Sequence, residues 1–252
     1  IEKYLFLILL FSIPFQIRKI IFYEGWKFNE WLSFSIYFTD VIFFVLFTIW
    51  GYNIFKKKAS ISYNSYLLIL VSFLAVAVIS LFFAKDVMIG WFSLLRLAEF
   101  LVFFVYIKEY AVKKFNFYDG LTAIILSGVF QSIIAIGQFI RQADLGLRYF
   151  GEGMLGIYIN GVAVFVNENG DRVMRAYGTT PHPNVLASFL FLAIFALCFV
   201  WFYKKQFTVK MNCLYCVLYA ILLVGLLLTF SRTIIFLWFA GFLVRGLIIG
   251  FW

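Results

Sequence analysis

Charge is scarce in this chain, and negative charge most of all. Asp and Glu together number 12 against 21 Lys and Arg in 252 residues, and 65% of the residues are hydrophobic. A water-soluble domain of this size cannot cover that much apolar side-chain surface, whereas a bilayer requires it on the outside. Histidine is rarer still, with His182 alone in the chain. No second His and no carboxylates at metal-ligand spacing accompany it, so neither a metal nor another cofactor is expected. The three cysteines, Cys198, Cys213 and Cys216, all fall in apolar sequence. Cys213-x-x-Cys216 lacks the second Cys/His pair that a zinc or redox site needs, and the three read as small buried hydrophobes. The net charge of +9 sits in short basic clusters between apolar runs, as topology signals do, and nucleic acid is not an expected partner.

What is abundant is apolar sequence in long runs, at 4–17, 33–55, 65–83, 91–107, 120–140, 185–203, 213–230 and 233–252. At about 1.5 Å per residue these cross most of a hydrocarbon core of about 30 Å, the first only marginally. It reads as a short first span rather than a cleaved signal peptide, since Tyr4–Ile17 has no small-x-small cleavage site. The expected fold is therefore an all-α membrane protein, a single transmembrane domain over 1–252 with a bundle of about eight helices. Lys56–Lys58, Lys108/Lys113/Lys114 and Lys204/Lys205/Lys210 mark alternate connections. That alternation is the positive-inside pattern; it places both ends of the chain in the cytoplasm, and 18–32, 84–90, 141–184 and the 230–232 corner outside.

The two basic residue types divide between the faces. Ten of 13 Lys lie on the inner segments, while six of eight Arg (Arg18, Arg141, Arg148, Arg172, Arg175 and Arg232) lie on outer ones. Lys suffices as a topology signal, but a planar, permanently charged fork is the better grip for phosphate or carboxylate oxygens. The outer face reads as built to hold an anion.

The 141–184 connection is the only long one, and its composition is that of a structured extracytoplasmic loop. Ile157–Val166 is rich in β-branched residues, Asn167-Glu168-Asn169-Gly170 supplies turn chemistry, and Arg172–Tyr177 can return as a second strand, which predicts a short β-hairpin. The run Arg175-Ala-Tyr-Gly-Thr-Thr-Pro-His-Pro-Asn184 then leads directly into the span at 185–203. Its prolines restrict the backbone, Asn184 can cap the incoming helix, and a helix N-terminus suits an anion. Two readings stand side by side: a rigid loop-to-helix entry, or an anion grip built on Arg175. Leu228-Thr-Phe-Ser-Arg-Thr233 joins two apolar runs with no room for a loop. Arg232 either anchors a helix end or, with Ser231, faces the same cavity as Arg175.

These two segments resemble the O-antigen ligase / O-antigen polymerase family of bacterial envelope proteins. That family carries approximately R-x-x-G-T-F-x-x-P-N before a span; Arg175, Gly178, Thr179, Pro183 and Asn184 match it, and Thr180 stands where Phe is usual. Ser231–Arg232 matches the family's later S/T-R at a helix junction. The resemblance covers about 140 to 250. It implies a metal-independent glycosyltransferase of the bacterial inner membrane, multi-pass, with no cofactor. Its donor would be an undecaprenyl-pyrophosphate-linked glycan, and its acceptor a glycolipid, a glycan or a protein. It implies pyrophosphate contacts at Arg175 and Arg232, secondary ones at Arg148 and Arg172, and positioning by Asn184 and Ser231. The family's catalytic His, in a late outer loop with a motif like H-N/S-x-x-L, has no counterpart here; His182 is the one candidate base. Since the chain starts at Ile1 rather than Met and is still apolar at Ile248–Trp252, it is expected to be the N-terminal and central part of a longer family member.

Within the spans, Arg96 and Glu99 lie three apart and are expected to pair, while Gln131 and Gln138 lie seven apart and are expected to bond between helices. Asp40, near the outer end of the second span, is either an acceptor-side carboxylate or an interface residue. The rival reading is a non-enzymatic transporter or flippase for a lipid-linked or anionic solute, which would line up Arg96, Glu99 and the outer arginines as a path.

Overall fold

A computed structural model describes residues 1–23, 33–56, 65–203 and 208–250, with side chains of the last helix described as far as 243. Lys57, Lys58, Lys204 and Lys205 of the topology argument, positions 24–32 of the first connection, and the final two residues lie outside the described residues. In chain order the elements are α1 (Glu2–Ser12), β1 (Arg18–Tyr23), β2 (Ser33–Tyr37), α2 (Phe38–Phe55), α3 (Ser65–Ser80), α4 (Val87–Tyr106), α5 (Val112–Lys114), α6 (Phe117–Arg141), β3 (Val164–Val166), β4 (Arg172–Met174), α7 (Pro183–Tyr203), α8 (Val209–Leu228) and α9 (Arg232–Gly250). A π turn, Ile107–Ala111, joins α4 to α5.

The chain is a mostly helical, multi-pass membrane protein with two small sheets. Six helical segments are long and apolar enough to cross a bilayer: Phe38–Phe55, Ser65–Phe83, Val87–Lys114, Phe117–Arg141, Pro183–Tyr203 and Val209–Leu228. The other two expected spans are shorter among the described residues. At about 1.5 Å per residue, the 11 residues of α1 reach only about half of a 30 Å core. In α9 the apolar stretch with described side chains is Arg232–Leu243. The environment is legible from α3, which has no buried residue at all and leaves Leu68 74% and Ile69 65% exposed. Only hydrocarbon makes such a surface favourable.

The run expected as one span at 33–55 is instead a strand followed by a helix. Ser33-Phe-Ser-Ile-Tyr37 alternates with period two, and it pairs antiparallel with Arg18–Tyr23, with a bulge between Ile20 and Phe22. The expected hairpin in the long connection forms in a shorter version. Val164, Phe165 and Val166 face Met174, Val173 and Arg172, around a turn in which Asn167 Oδ1 accepts from the amides of Asn169 and Asp171.

Two compact units are built from these elements, one from Ile1–Leu9 and Arg18–Phe117, the other from Leu10–Ile17 and Tyr118–Trp252. In the first, Phe43, Phe103, Tyr106 and Trp50 form an aromatic stack, with Phe43 and Phe103 4.4 Å apart edge to face and Trp50 and Tyr106 5.6 Å apart. In the second, Leu186, Leu190, Ala193 and Ile194 of α7 are fully buried with Leu222 and Leu226 of α8. Small residues set how close those helices come, as expected where lipid removes the hydrophobic drive for helix pairing. A Cβ on Gly128 of α6 would stand 2.5 Å from Ala193 Cβ, and one on Gly225 of α8 would stand 2.5 Å from Ser132 Oγ.

Gly128→Val should therefore overpack the α6–α7 contact and destabilise the protein by ~1–3 kcal/mol. Gly51→Ala in α2, where a Cβ meets nothing within 4 Å, should be neutral or slightly stabilising. Thermal unfolding in detergent followed by tryptophan fluorescence separates the two; equal midpoints would remove the close-packing account.

Candidate functional site

In the second unit the long connection runs from the last turn of α6 to the first of α7 and rests on the last turn of α8 and the 229–230 corner before α9. Residues 175–180 lie among these ends, and two glutamines of α6 receive them. Gln138 is fully buried; its Oε1 accepts from the amides of Tyr177 (3.0 Å) and Gly178 (2.8 Å), and its Nε2 donates to Gly178 O and to Glu152 Oε1 (both 2.7 Å). Two turns away on the same helical face, Gln131 Oε1 accepts from the amide of Thr179, and its Nε2 donates to Thr179 Oγ1 (both 2.8 Å). Thr179 Oγ1 in turn donates to Pro14 O at 3.3 Å. The glutamines thus bond the backbone of a loop, not another helix as their spacing alone implies. A carboxamide suits this because it presents acceptor and donor side by side, matching a peptide unit.

Gly178 takes a left-handed conformation (φ +60°), and a Cβ there would stand 2.5 Å from Gln131 Oε1. Glu152, also buried, extends the network outward: its carboxylate accepts from Gln138 and from the amides of Leu145 (2.8 Å) and Leu147 (2.6 Å). These three donors, rather than a cation, hold its charge.

Arg175 owes its position to the end of α8. The amide of Ala176 donates to Leu228 O at 3.0 Å, so the segment lies directly on that last turn. Arg175 Nε donates to Thr229 O, and one terminal nitrogen donates to Asn184 Oδ1, both at 2.6 Å. The structure therefore brings Arg175, Asn184 and the 229–231 corner together. Phe230, at φ +50°, turns that corner with its ring 4.4 Å from Phe165 of β3 and 5.9 Å from Phe139 of α6. Ser231 is buried within it, and Arg232, exposed, opens α9. Arg148, in a short 3-10 turn, and Arg172, at the start of β4, are both exposed, and among the described residues neither bonds to this group.

The cap expected of Asn184 falls to His182. Pro183 occupies the first position of α7, which leaves His182 as the capping residue, and its Nδ1 accepts from the amide of Asn184 at 3.2 Å. Asn184, one position inside the helix, turns its side chain to Arg175 instead. An imidazole that keeps this cap has its remaining proton on Nε2 and is neutral, since protonating Nδ1 would set donor against donor. Burial, and after it the charge of Arg175, also hold the His182 pKa below its ordinary value. In the capped form the ring offers a donor outward, whereas a base requires that the cap open first. Burial likewise lowers Arg175, which still remains a cation.

The electrostatic character comes from the partners. Among the described residues, no carboxylate pairs with Arg141, Arg148, Arg172, Arg175 or Arg232, whereas Arg96 of the first unit holds two, Asp40 at 2.6 Å and Glu99 at 3.0 Å. Arg175 spends two of its five N–H donors on neutral oxygens and keeps its full charge. No group of three or more His, Cys, Asp or Glu suited to a metal occurs among the described residues. Glu152, Gln131 and Gln138 were not legible as site residues in the sequence. Their one signal was polarity on an otherwise apolar face of α6, together with a single carboxylate between Asp144 and Glu168.

Gln138→Leu should strand the amides of Tyr177 and Gly178 and the Gly178 carbonyl, at ~1–3 kcal/mol for each buried group. Hydrogen exchange should then accelerate at 176–180 by at least about tenfold; unchanged exchange would mean that the loop holds itself. As the chain's one histidine, His182 gives a single titration signal. It should titrate below about 6.5 and move partway back up in Arg175→Gln, since burial is the larger cause. Because the folded value is the lower one, the stability carried by the neutral ring is present above about 6.5 and lost as the pH falls through the folded value. An NMR titration that leaves the value unmoved in Arg175→Gln would separate the two residues electrostatically.

No family model, curated protein or solved structure matches the chain, so the resemblance to the O-antigen ligase / polymerase family rests on the quoted residues alone.

Proposed function

We propose that this protein transfers a glycan from undecaprenyl pyrophosphate to an acceptor hydroxyl on a glycolipid, a glycan or a protein, at the outer face of a bacterial inner membrane. In this reading α1 and α9 complete about eight crossings, and residues 142–182 lie outside. The observation that supports it is the seating of Arg175: an arginine without a carboxylate partner, bonded to Thr229 O and Asn184 Oδ1 at the corner that carries Ser231 and Arg232. These are the two segments that resemble the family, and they are 54 residues apart in the chain.

The chemistry asks for little else. The acceptor oxygen attacks the anomeric carbon and gives up its proton to water, the bond from that carbon to the pyrophosphate oxygen breaks, and the lipid pyrophosphate leaves with the bonding pair. The charge that develops on the leaving oxygens needs fixed cations in a poorly solvated place. Arg175, already held through two donors, loses little side-chain freedom on gripping an anion with the others. Arg232 begins α9 at the same corner, and the N-terminus of α7 adds the positive end of its dipole. Arg148 and Arg172 are exposed and serve as longer-range attraction for the anion. His182 orders the start of α7 through its cap on Asn184. The transporter reading requires arginines strung along a path; Arg96 is instead paired with Asp40 and Glu99, and its other nitrogen donates to Ser35 O at 3.0 Å.

In the intact protein, Arg175→Lys and Arg232→Lys should each lower glycan transfer by about 10²–10³-fold while leaving the amount of protein in the membrane unchanged. Transfer is read as the appearance of glycan on the acceptor by gel shift. Full transfer by both variants would remove the leaving-group role.

A further inference from the structure

In the first unit a cavity of about 560 Å³ opens between β2, α2 and α4. That is the size of a small-molecule or single-chain lipid site. Its wall is made largely of five phenylalanines, Phe34, Phe43, Phe44, Phe47 and Phe92, and it opens sideways: Phe44 is 74% and Leu95 60% exposed. In a bundle surrounded by hydrocarbon, a lateral opening of this kind faces the acyl chains.

The polar end of the cavity is unlike its wall. Asp40, Arg96 and Glu99 line it together. One Arg96 nitrogen donates to Asp40 Oδ1 at 2.6 Å and to Glu99 Oε2 at 3.0 Å, the other donates to Ser35 O, and the guanidinium lies 5.1 Å from the centre of the Tyr37 ring. Asp40 Oδ2 accepts from the amide of Tyr37 at 2.9 Å. Two carboxylates therefore converge on one guanidinium, with a formal sum of one negative charge. Each keeps 21% of its side chain accessible. An uncompensated carboxylate beside five phenyl rings is costly, and a single positive donor group would offset it.

We propose that this cavity binds one lipid whose headgroup carries a primary ammonium, the ammonium donating to Asp40 and Glu99 and an acyl chain lying along the phenylalanine wall. The sign of the imbalance selects a cation over an anionic head. The acceptor oxygens of the two carboxylates select an ammonium with N–H donors over a quaternary one. The site stands apart from the glycan-transfer reading and uses none of its residues.

The test places the full-length protein in nanodiscs of equimolar phosphatidylethanolamine, phosphatidylcholine and phosphatidylglycerol and identifies retained lipid by native mass spectrometry. Wild type should retain one phosphatidylethanolamine over phosphatidylcholine by about tenfold, the value of a charge-assisted hydrogen bond, and Asp40→Asn/Glu99→Gln should abolish the preference. Leu95→Trp, which narrows the wall and leaves the three charged residues in place, should lower retention at the site, and it decides the matter if the double variant does not fold. Equal retention of the ethanolamine and choline lipids by wild type would mean that a proton supplies the missing charge, and would overturn the proposal. Preference for the glycerol or the choline lipid, or a preference that survives either variant, would overturn it as well.

Discussion

Everything near the proposed site depends on two side-chain amides answering a peptide backbone. Residues 177–179 lie buried against α6 and α7, where an unpaired amide or carbonyl is costly. Gln138 and Gln131 supply four bonds to backbone atoms there, and the left-handed Gly178 lets the chain pass close enough to receive them. That match fixes the segment just after Arg175, while Arg175 and Ala176 themselves bond to the end of α8. The arginine is held in place by neutral groups while its charge is left unspent. This arrangement suits a site for an anion, and is the reverse of the Arg96 cluster, where two carboxylates consume the cation.

The two arginines show how the same side chain acquires different uses from its surroundings. Arg96 sits in α4 beside apolar sequence and needs local neutralisation. Arg175 comes at the end of a hairpin strand and meets only a carbonyl and an amide oxygen. Pairing makes a cation structural, whereas leaving it bound but without a carboxylate keeps its charge available. The glycines divide in a similar way. Gly128 and Gly225 allow helices to touch, while Gly178 allows a loop to descend between them.

Much of this was readable in the amino-acid order because hydrophobic runs are long and their basic flanks alternate. The six span-length helices fall on predicted runs, and the Asn167–Gly170 turn announced the β3–β4 hairpin. The pairing of Arg96 with Glu99 came from helical spacing. What escaped had no local signal. Ser33–Tyr37 carries Phe, Ile and Tyr directly against the apolar helix after it, so composition merged strand and span; only the alternation of Ser with Phe and Ile distinguished them. Asp40 joined the pair across 56 residues, and Glu152 reached Gln138 across 14, neither of which spacing can foresee. His182 took the cap because Pro183 claims the first helical position, a rule available in the sequence but outweighed there by the better-known capping habit of Asn.

The corner at 229–231 has almost no slack. Thr229 closes α8, Phe230 reverses the chain in a left-handed conformation, and the carbonyl of Ser231 already accepts from Ile235 in the first turn of α9. A hinge this short transmits rather than absorbs: a tilt of α9 displaces the Thr229 carbonyl, and with it the guanidinium fastened there. Whatever leans on the last helix thereby has mechanical access to the cation, from a distance and without touching it.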